Sequence, residues 1–350
     1  MSTASRESTV SHDPMTHAPV NHNLTALTLE DVPALTDLMN AIDAHEGFGE
    51  PTEEPSMREW LTMPDLDLAT DTVAVREDGR LIAIGLLDVG ASLDRDGRVR
   101  CQLMGGVHPD HRRRGLGTAV LDRLETRAAA LAAQRHPGSS AVLRCGGGRD
   151  PEGEAEPRGG VDVRPVLDRR GYTRVRSWFE MRRELRGEAG AGLTELAGAD
   201  VPGVSLRSPS AADREPTRLA HDAAFTDHWG SAPIPADRWA GWWDGHTSRH
   251  EHSSIAVDDR GTILAYALTQ EDRPGHLHVG LVGTRPEARG RGLARAVLAR
   301  SLASGRAAGY EEAQLEVDTE SLTGATRLYE AVGFTRASVY ATYEKPVPTA

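Results

Sequence analysis

Apolar residues recur along this chain with two periods, and the switches between them mark out its elements. Val32, Leu35, Leu38 and Ile42 fall three and four apart, lining one face of a helix predicted over 31–45 after a strand at 24–28. Residues 72–76 and 81–89 are short apolar runs separated by Glu77-Asp78-Gly79-Arg80, the pattern of a β-hairpin. A strand over 99–107 follows, then a helix whose buried stripe is Leu116, Val120, Leu124, Ala128 and Leu131. A strand at 141–145, a glycine- and acid-rich loop at 146–160, a short helix around 163–170 and a strand pair near 175–185 complete this half.

The order then repeats. A strand at 204–207, a helix at 213–225, strands at 254–258 and 263–269 flanking Asp259-Arg260-Gly261, and a strand at 277–283 lead to a helix striped by Leu293, Val297 and Leu302. A strand at 314–318, a helix at 323–331 and a strand near 338–343 close it. The repetition divides the chain into 23–186 and 204–347, joined by a linker of low apolar content at 187–203. The length of 350 residues agrees with two domains of about 150 each. Residues 1–22, rich in Ser, Thr, His and Pro without an apolar run, read as a disordered tail rather than a signal peptide.

The same strand-to-helix junction carries glycine and arginine in both halves: His108-Pro-Asp-His-Arg-Arg-Arg-Gly-Leu-Gly117 and Arg285-Pro-Glu-Ala-Arg-Gly-Arg-Gly-Leu-Ala294. The first amides of a helix have no partner inside it, and the helix dipole adds partial positive charge, so such a junction suits a phosphate. Gly115 and Gly117, or Gly290 and Gly292, let the backbone close around phosphate oxygens. Arg112 and Arg114, or Arg289 and Arg291, can add charge-assisted hydrogen bonds. An ordinary surface helix with solvated arginines would show the same spacing.

Composition narrows the anion. A net charge of −12 argues against nucleic acid as a main partner, and no stretch approaches a membrane span. Lys345 is the only lysine, which leaves no Walker-type phosphate loop and no well-placed Schiff-base amine. Cys101 and Cys145 lack CxxC or Cys/His zinc spacing and read as buried free thiols on neighbouring strands, in a reducing cytoplasm. His246, His250 and His252 have no carboxylate or cysteine to complete a set, and no metal is expected.

The segment Leu315 to Phe334 ends in Leu328-Tyr-Glu-Ala-Val-Gly-Phe334. With Arg289-x-x-Gly292-x-Ala294, it resembles the GNAT superfamily of acyl-CoA-dependent N-acetyltransferases, matching that family's closing motif and CoA pyrophosphate motif. The resemblance covers residues 24–347 twice over, and the tandem arrangement is similar to that of mycothiol synthase and related two-domain acetyltransferases. It implies an α/β (α+β) fold: two tandem GNAT-type domains, each a mixed, mostly antiparallel sheet flanked by helices.

It further implies acetyl-CoA as co-substrate and direct transfer to a primary amine in a ternary complex. The pyrophosphate would lie on Arg289, Gly290, Arg291, Gly292, Leu293 and Ala294, and the pantetheine along the backbone of Leu281, Val282 and Gly283. An amide there would polarise the thioester carbonyl. Tyr329 stands where the family's tyrosine protonates the departing thiolate, although a helix tyrosine packed beneath a sheet would look alike. Where the commonest motif has Asn this chain has Ser321, which can also cap. Aligning Gly171-Tyr172 with Gly333-Phe334 puts Leu167 opposite Tyr329, so the first half is expected not to catalyse. Whether its Arg112, Arg114, Gly115 and Gly117 hold CoA stays open.

No motif marks the general base. His276 and His278 alternate onto one face of the strand feeding the second motif, with Glu271 and Asp272 at the preceding strand end; His278 and Glu271 are the candidates carried forward, against plain solvated strand ends. Asp227, His228 and Trp229, with Trp239, Trp242 and Trp243, read as a wall over the acceptor or as packing of a short helix at 236–243. A Trp-rich wall favours a small-molecule amine over an extended peptide. A module that binds acyl-CoA without transferring it, and a protein N-acetyltransferase, are the alternatives, and the oligomeric state is unknown.

Overall fold

The computed structural model describes residues 23–47, 51–149, 163–187, 192–193 and 201–348. The expected tail at 1–22 and most of the expected linker at 187–203 lie outside these residues.

The first half contains β1 (Leu24–Thr25), α1 (Val32–Glu46), α2 (Glu54–Leu61), α3 (Leu68–Asp71), β2 (Thr72–Glu77), β3 (Arg80–Val89), β4 (Val99–Val107), α4 (Leu116–Arg135), β5 (Ala141–Arg149), α5 (Arg164–Arg169) and β6 (Thr173–Glu184). The second contains β7 (Val204–Arg207), α6 (Arg214–Ala224), α7 (Ala236–Trp243), β8 (Ser254–Asp258), β9 (Ile263–Arg273), β10 (His276–Thr284), α8 (Leu293–Ala308), β11 (Glu312–Asp318), α9 (Ala325–Ala331) and β12 (Thr335–Pro346). Both halves open with the same local device. The Thr28 and Ser210 amides each donate to an aspartate three residues on, Asp31 and Asp213, at 2.8 Å, which satisfies the free amides before α1 and α6.

Three sequence expectations change. The strand pair near 175–185 is a single strand, β6, because no turn residue interrupts 173–184. The loop expected from Gly146 starts later, since Gly146 and Arg149 pair with Thr342 and Tyr340 of β12; the rest of it lies largely outside the described residues. Helices α2 and α3 were not anticipated: they are short, and Leu61 with Met57 and Trp60 packs into the cluster beneath α1.

Among the described residues twelve strands join one sheet in the order β1-β2-β3-β4-β5-β12-β6-β11-β10-β9-β8-β7, in which only β4 with β5 and β10 with β11 run parallel. The closing strands are exchanged: β6, the last strand of the first half, pairs with β11 of the second, and β12 returns to pair with β5 of the first. The halves therefore share their sheet across its centre, where β6 and β12 also pair with each other. Leu116, Val120, Leu124 and Leu131 of α4 cover one face of β2–β5, while α1 covers the other. In the second half α8 covers one face, through Leu293, Val297, Leu298 and Leu302, and α6 with α7 covers the other. Among the described residues no helix is long and apolar enough to cross a membrane.

Candidate active site

The two parallel strand pairs part company soon after they meet. β10 and β11 are paired only from His276 opposite Glu312 to His278 opposite Gln314, after which β10 runs on to Thr284 and β11 to Asp318 without bonding. A cavity of about 550 Å³ fills the gap, bounded by Val279–Thr284, the start of α8, the end of β11 and α9. The β10 edge facing it keeps backbone groups that no neighbouring strand uses.

A bulge re-aims this edge. Val279 pairs with Thr269 and Leu281 with Leu268, so Gly280 has no opposite number on β9. The register of β3 with β4, the same pair in the first half, is unbroken from Ala83–Val107 to Val89–Cys101. A bulge leaves its extra residue outside the ladder and turns the strand, so among the described residues the second half carries at Gly280 a residue outside the ladder where the matching strand pair of the first half carries none. Three residues on, a Cβ at Gly283 would lie 2.3 Å from the Tyr266 hydroxyl oxygen, so nothing larger than glycine fits. Tyr266 is fixed beneath it by His221, whose Nδ1 lies 2.7 Å from the tyrosine oxygen. Burial pushes the His221 pKa down to about 4, so the ring is neutral.

The helix junctions also differ. Gly290 and Gly292 have φ of 76° and 78°, the left-handed region glycine enters freely. In the first half Gly115 matches Gly292, but Arg113 stands in place of Gly290, with φ 62°. Its arginines are already occupied: Arg112 bonds Glu46 at 2.6 Å and the Val107 carbonyl, and Arg114 bonds Glu77 at 2.5 Å. In the second half Arg289 bonds the Ala224 carbonyl at 3.0 Å and reaches Asp227 at 3.3 Å from the cavity rim. Leu281, Val282, Gly283, Arg289, Gly290, Gly292, Leu293, Ala294 and Ser321 all line the cavity, whereas Arg291 does not. These open amides and left-handed glycines fit a pyrophosphate.

Tyr329 reaches the cavity from α9, its ring edge-on to Phe334 at 6.1 Å. Burial pushes its pKa up to about 12, and its hydroxyl has no hydrogen-bond partner among the described residues. It holds a proton throughout the neutral range.

Neither expected base stands free in the cavity. His278 is clamped between Asp272, 2.6 Å from Nδ1, and Glu316, 2.9 Å from Nε2. Burial alone would lower its pKa, but the two carboxylates push it up to about 10, so the ring is a cation with both nitrogens engaged. Glu271 lies outside the cavity lining and accepts from Arg249 at 2.9 Å, Tyr310 at 3.0 Å and the Gly275 amide at 3.2 Å.

The expected aromatic wall divides in two. Trp239 and Trp243 of α7 are buried with Tyr266 and Leu268 and serve as core. Asp227, His228 and Trp229 line the cavity. Trp229 lies under the Arg144 guanidinium, 4.1 Å from the ring centre, with Arg176 at 5.3 Å. Arg95, Arg176 and Trp178, which the sequence did not single out, complete this end, together with Glu316, Asp318 and Glu320. No local signal marked the first three, because they belong to the other half: Arg176 and Trp178 arrive on the exchanged strand β6 and Arg95 on the β3–β4 connection. His246, His250 and His252 bond Glu59, the Trp243 carbonyl and Ser304 respectively. Among the described residues no cluster suited to a metal ion occurs.

Comparison with known proteins finds relatives over most of the chain. The acetyltransferase (GNAT) family model matches residues 35–137 and 216–334. A mycothiol acetyltransferase from Salinispora tropica is 30% identical over 339 residues, 92% of this chain and 94% of the relative. Another from Geodermatophilus obscurus is 29% identical over 338 residues, 93% and 97% of the two chains. The crystal structure of a GCN5-related N-acetyltransferase from Sphaerobacter thermophilus matches with a TM-score of 0.69 at 25% identity, covering 95% of this chain and 98% of that one. A tandem GNAT protein from the clavulanic acid biosynthesis pathway shares the fold, with a TM-score of 0.69 at 17% identity over 94% and 99% of the chains.

Proposed function

The chain belongs to the GNAT acetyltransferase family, an acetyl-CoA-dependent N-acetyltransferase, and we propose that it acetylates the primary amine of a small molecule by direct transfer in a ternary complex. The observation that carries this reading is the protonated, unpartnered Tyr329 facing a bulged strand edge across one cavity. Residues 204–347 do the chemistry in this proposal, and residues 23–186 do not: Leu167, at the position of Tyr329, is buried in the core.

Acetyl-CoA supplies the thioester when bound. Gly290, Gly292 and the first turn of α8 hold its pyrophosphate, and the β10 edge at 281–283 pairs with its pantetheine arm. The spare amide at the bulge donates to the thioester oxygen as charge develops there; losing one such donor costs about 10²–10³ in kcat in other enzymes. Tyr329 gives its proton to the sulfur that leaves. The acceptor enters from the side of Trp178, His228 and Trp229, whose aromatic rings suit a small molecule. Two buried free cysteines support a cytoplasmic location.

The test is thiol release from acetyl-CoA over a panel of amines, including a mycothiol-type acceptor because of the relatives' name, with Tyr329→Phe as control. Release with at least one small amine, suppressed in Tyr329→Phe, is expected. Acetyl-CoA binding without release on any amine would instead identify an acyl-CoA sensor, and release only with peptides a protein acetyltransferase.

A further inference from the structure

The reaction needs a group that removes a proton from the acceptor, and neither His278 nor Glu271 is placed to do so. Of the carboxylates at the cavity, Glu316 bonds the His278 cation, Asp318 accepts the Glu320 amide at 2.9 Å, Glu320 pairs with Arg176 and Asp227 with Arg289. Each is already engaged by a cation or an N–H donor, whereas a proton acceptor needs a free lone pair within reach of the attacking amine.

We propose that His228 is the proton acceptor, through Nε2. The proposal rests on the reading of the cavity as an acetyltransferase site. Nδ1 lies 3.1 Å from the Trp229 carbonyl oxygen, which only an N–H can approach, so the Nδ1 proton is fixed and the lone pair sits on Nε2. Nε2 has no hydrogen-bond partner among the described residues, and the residue lines the cavity at its acceptor end. Burial pulls its pKa below the ordinary histidine value, so the ring is neutral at pH 7. The charged groups around it are Asp318 from β11, Arg176 from β6, Arg95 from the β3–β4 connection and Asp227 on its own loop; His221 from α6 is neutral.

The first half holds this loop in place. Arg95 donates from its backbone to the Ser231 carbonyl at 2.9 Å and from its guanidinium to the Asp227 carbonyl at 2.5 Å. Arg100 donates to the Gly230 carbonyl at 2.7 Å. Trp178 of β6 lays its ring 6.0 Å from the imidazole. The non-catalytic half thus positions a catalytic group.

The protons balance. The ammonium of the acceptor passes one proton to Nε2, and His228 returns it to solvent. The freed lone pair forms the C–N bond, the C–S bond breaks, and the sulfur takes the Tyr329 proton. The second proton on nitrogen restores the tyrosine.

The experiment compares wild type with His228→Gln and His228→Ala on an alkylamine, protonated at pH 7.5, and an alkoxyamine, neutral there. We expect kcat/KM to fall about 10²–10⁴-fold with the alkylamine, only a few-fold with the alkoxyamine, and added imidazole to restore part of the His228→Ala activity. Equal losses on both amines, or none, overturn the proposal. A wild-type profile guards against a misfolded variant: saturated kcat with the alkylamine should fall on the acid side with one apparent pKa below 6.5, and an acid limb centred at or above 6.5 overturns it. Failure of the wild type on every amine overturns the acetyltransferase reading instead.

Discussion

Glu344 is the clearest place to test whether the closing strands are exchanged. It lies on β12, near the end of the chain, and its Oε1 accepts from Arg144 Nε at 2.9 Å and Nη2 at 2.5 Å. Arg98 reaches its Oε2 at 3.3 Å. Both arginines belong to the first half, and the Arg144 and Glu344 side chains are only 10% and 7% exposed. Glu344→Leu keeps the volume but leaves a buried guanidinium uncompensated, a loss of about 3–5 kcal/mol. Unfolding entropy of about 2.1 cal/mol/K per residue amounts to about 0.7 kcal/mol/K for this chain, so Tm should fall by about 4–7 °C in a calorimetric melt. An exposed pair is worth about 0–1 kcal/mol, so a fall under about 1.5 °C would refute the buried, strand-exchanged pair. Adding Arg144→Met should recover most of the loss, since replacing both partners by apolar groups is often neutral. Arg144 also carries the Trp229 ring and packs on Gly230, so Glu344→Leu should lower kcat as well.

Tyr329→Phe should lower kcat about 10²–10⁴-fold while the acetyl-CoA Kd from calorimetry stays unchanged; a matching loss of affinity would make the tyrosine a binding group. Because Tyr329 ionises only near pH 12, kcat should show no loss from tyrosine deprotonation up to pH 10. The raised His278 pKa stabilises the fold fully below about 6.5 and loses that contribution as pH rises through about 10, so wild-type stability should decline across that window. His278→Gln should flatten the decline, measured by urea unfolding at each pH, and an unchanged slope would remove His278 as its source. Residues 1–203 and 204–350 expressed separately should each lack a strand partner at the centre of the sheet and aggregate, but co-purify as an active pair when expressed together. Two soluble, independently melting halves would contradict the exchange.

Most of the elements were legible along the chain because their causes are local. The stripe Leu116, Val120, Leu124, Ala128, Leu131 is a helix face whatever it packs against. The Gly290 and Gly292 junction and Tyr329 could be read for the same reason: a helix start and a closing motif occupy consecutive residues. The candidate base could not be read so. His276 and His278 alternate on a strand, but only the approach of Asp272 and Glu316 shows that His278 is engaged.

By itself, then, the sequence determined the periodic elements, the duplication and the family-like glycine and arginine junctions, since each depends on residues a few positions apart. Tertiary structure alone decided which half each closing strand completes, that the β9–β10 ladder skips Gly280, and which side chains share the cavity. Strands β6 and β12 carry similar patterns at equivalent places in the two halves, and no local signal distinguishes β5 from β11 as a neighbour. Partner choice between strands is settled by long-range burial and register. That choice brings Trp178 of the first half against His228 of the second.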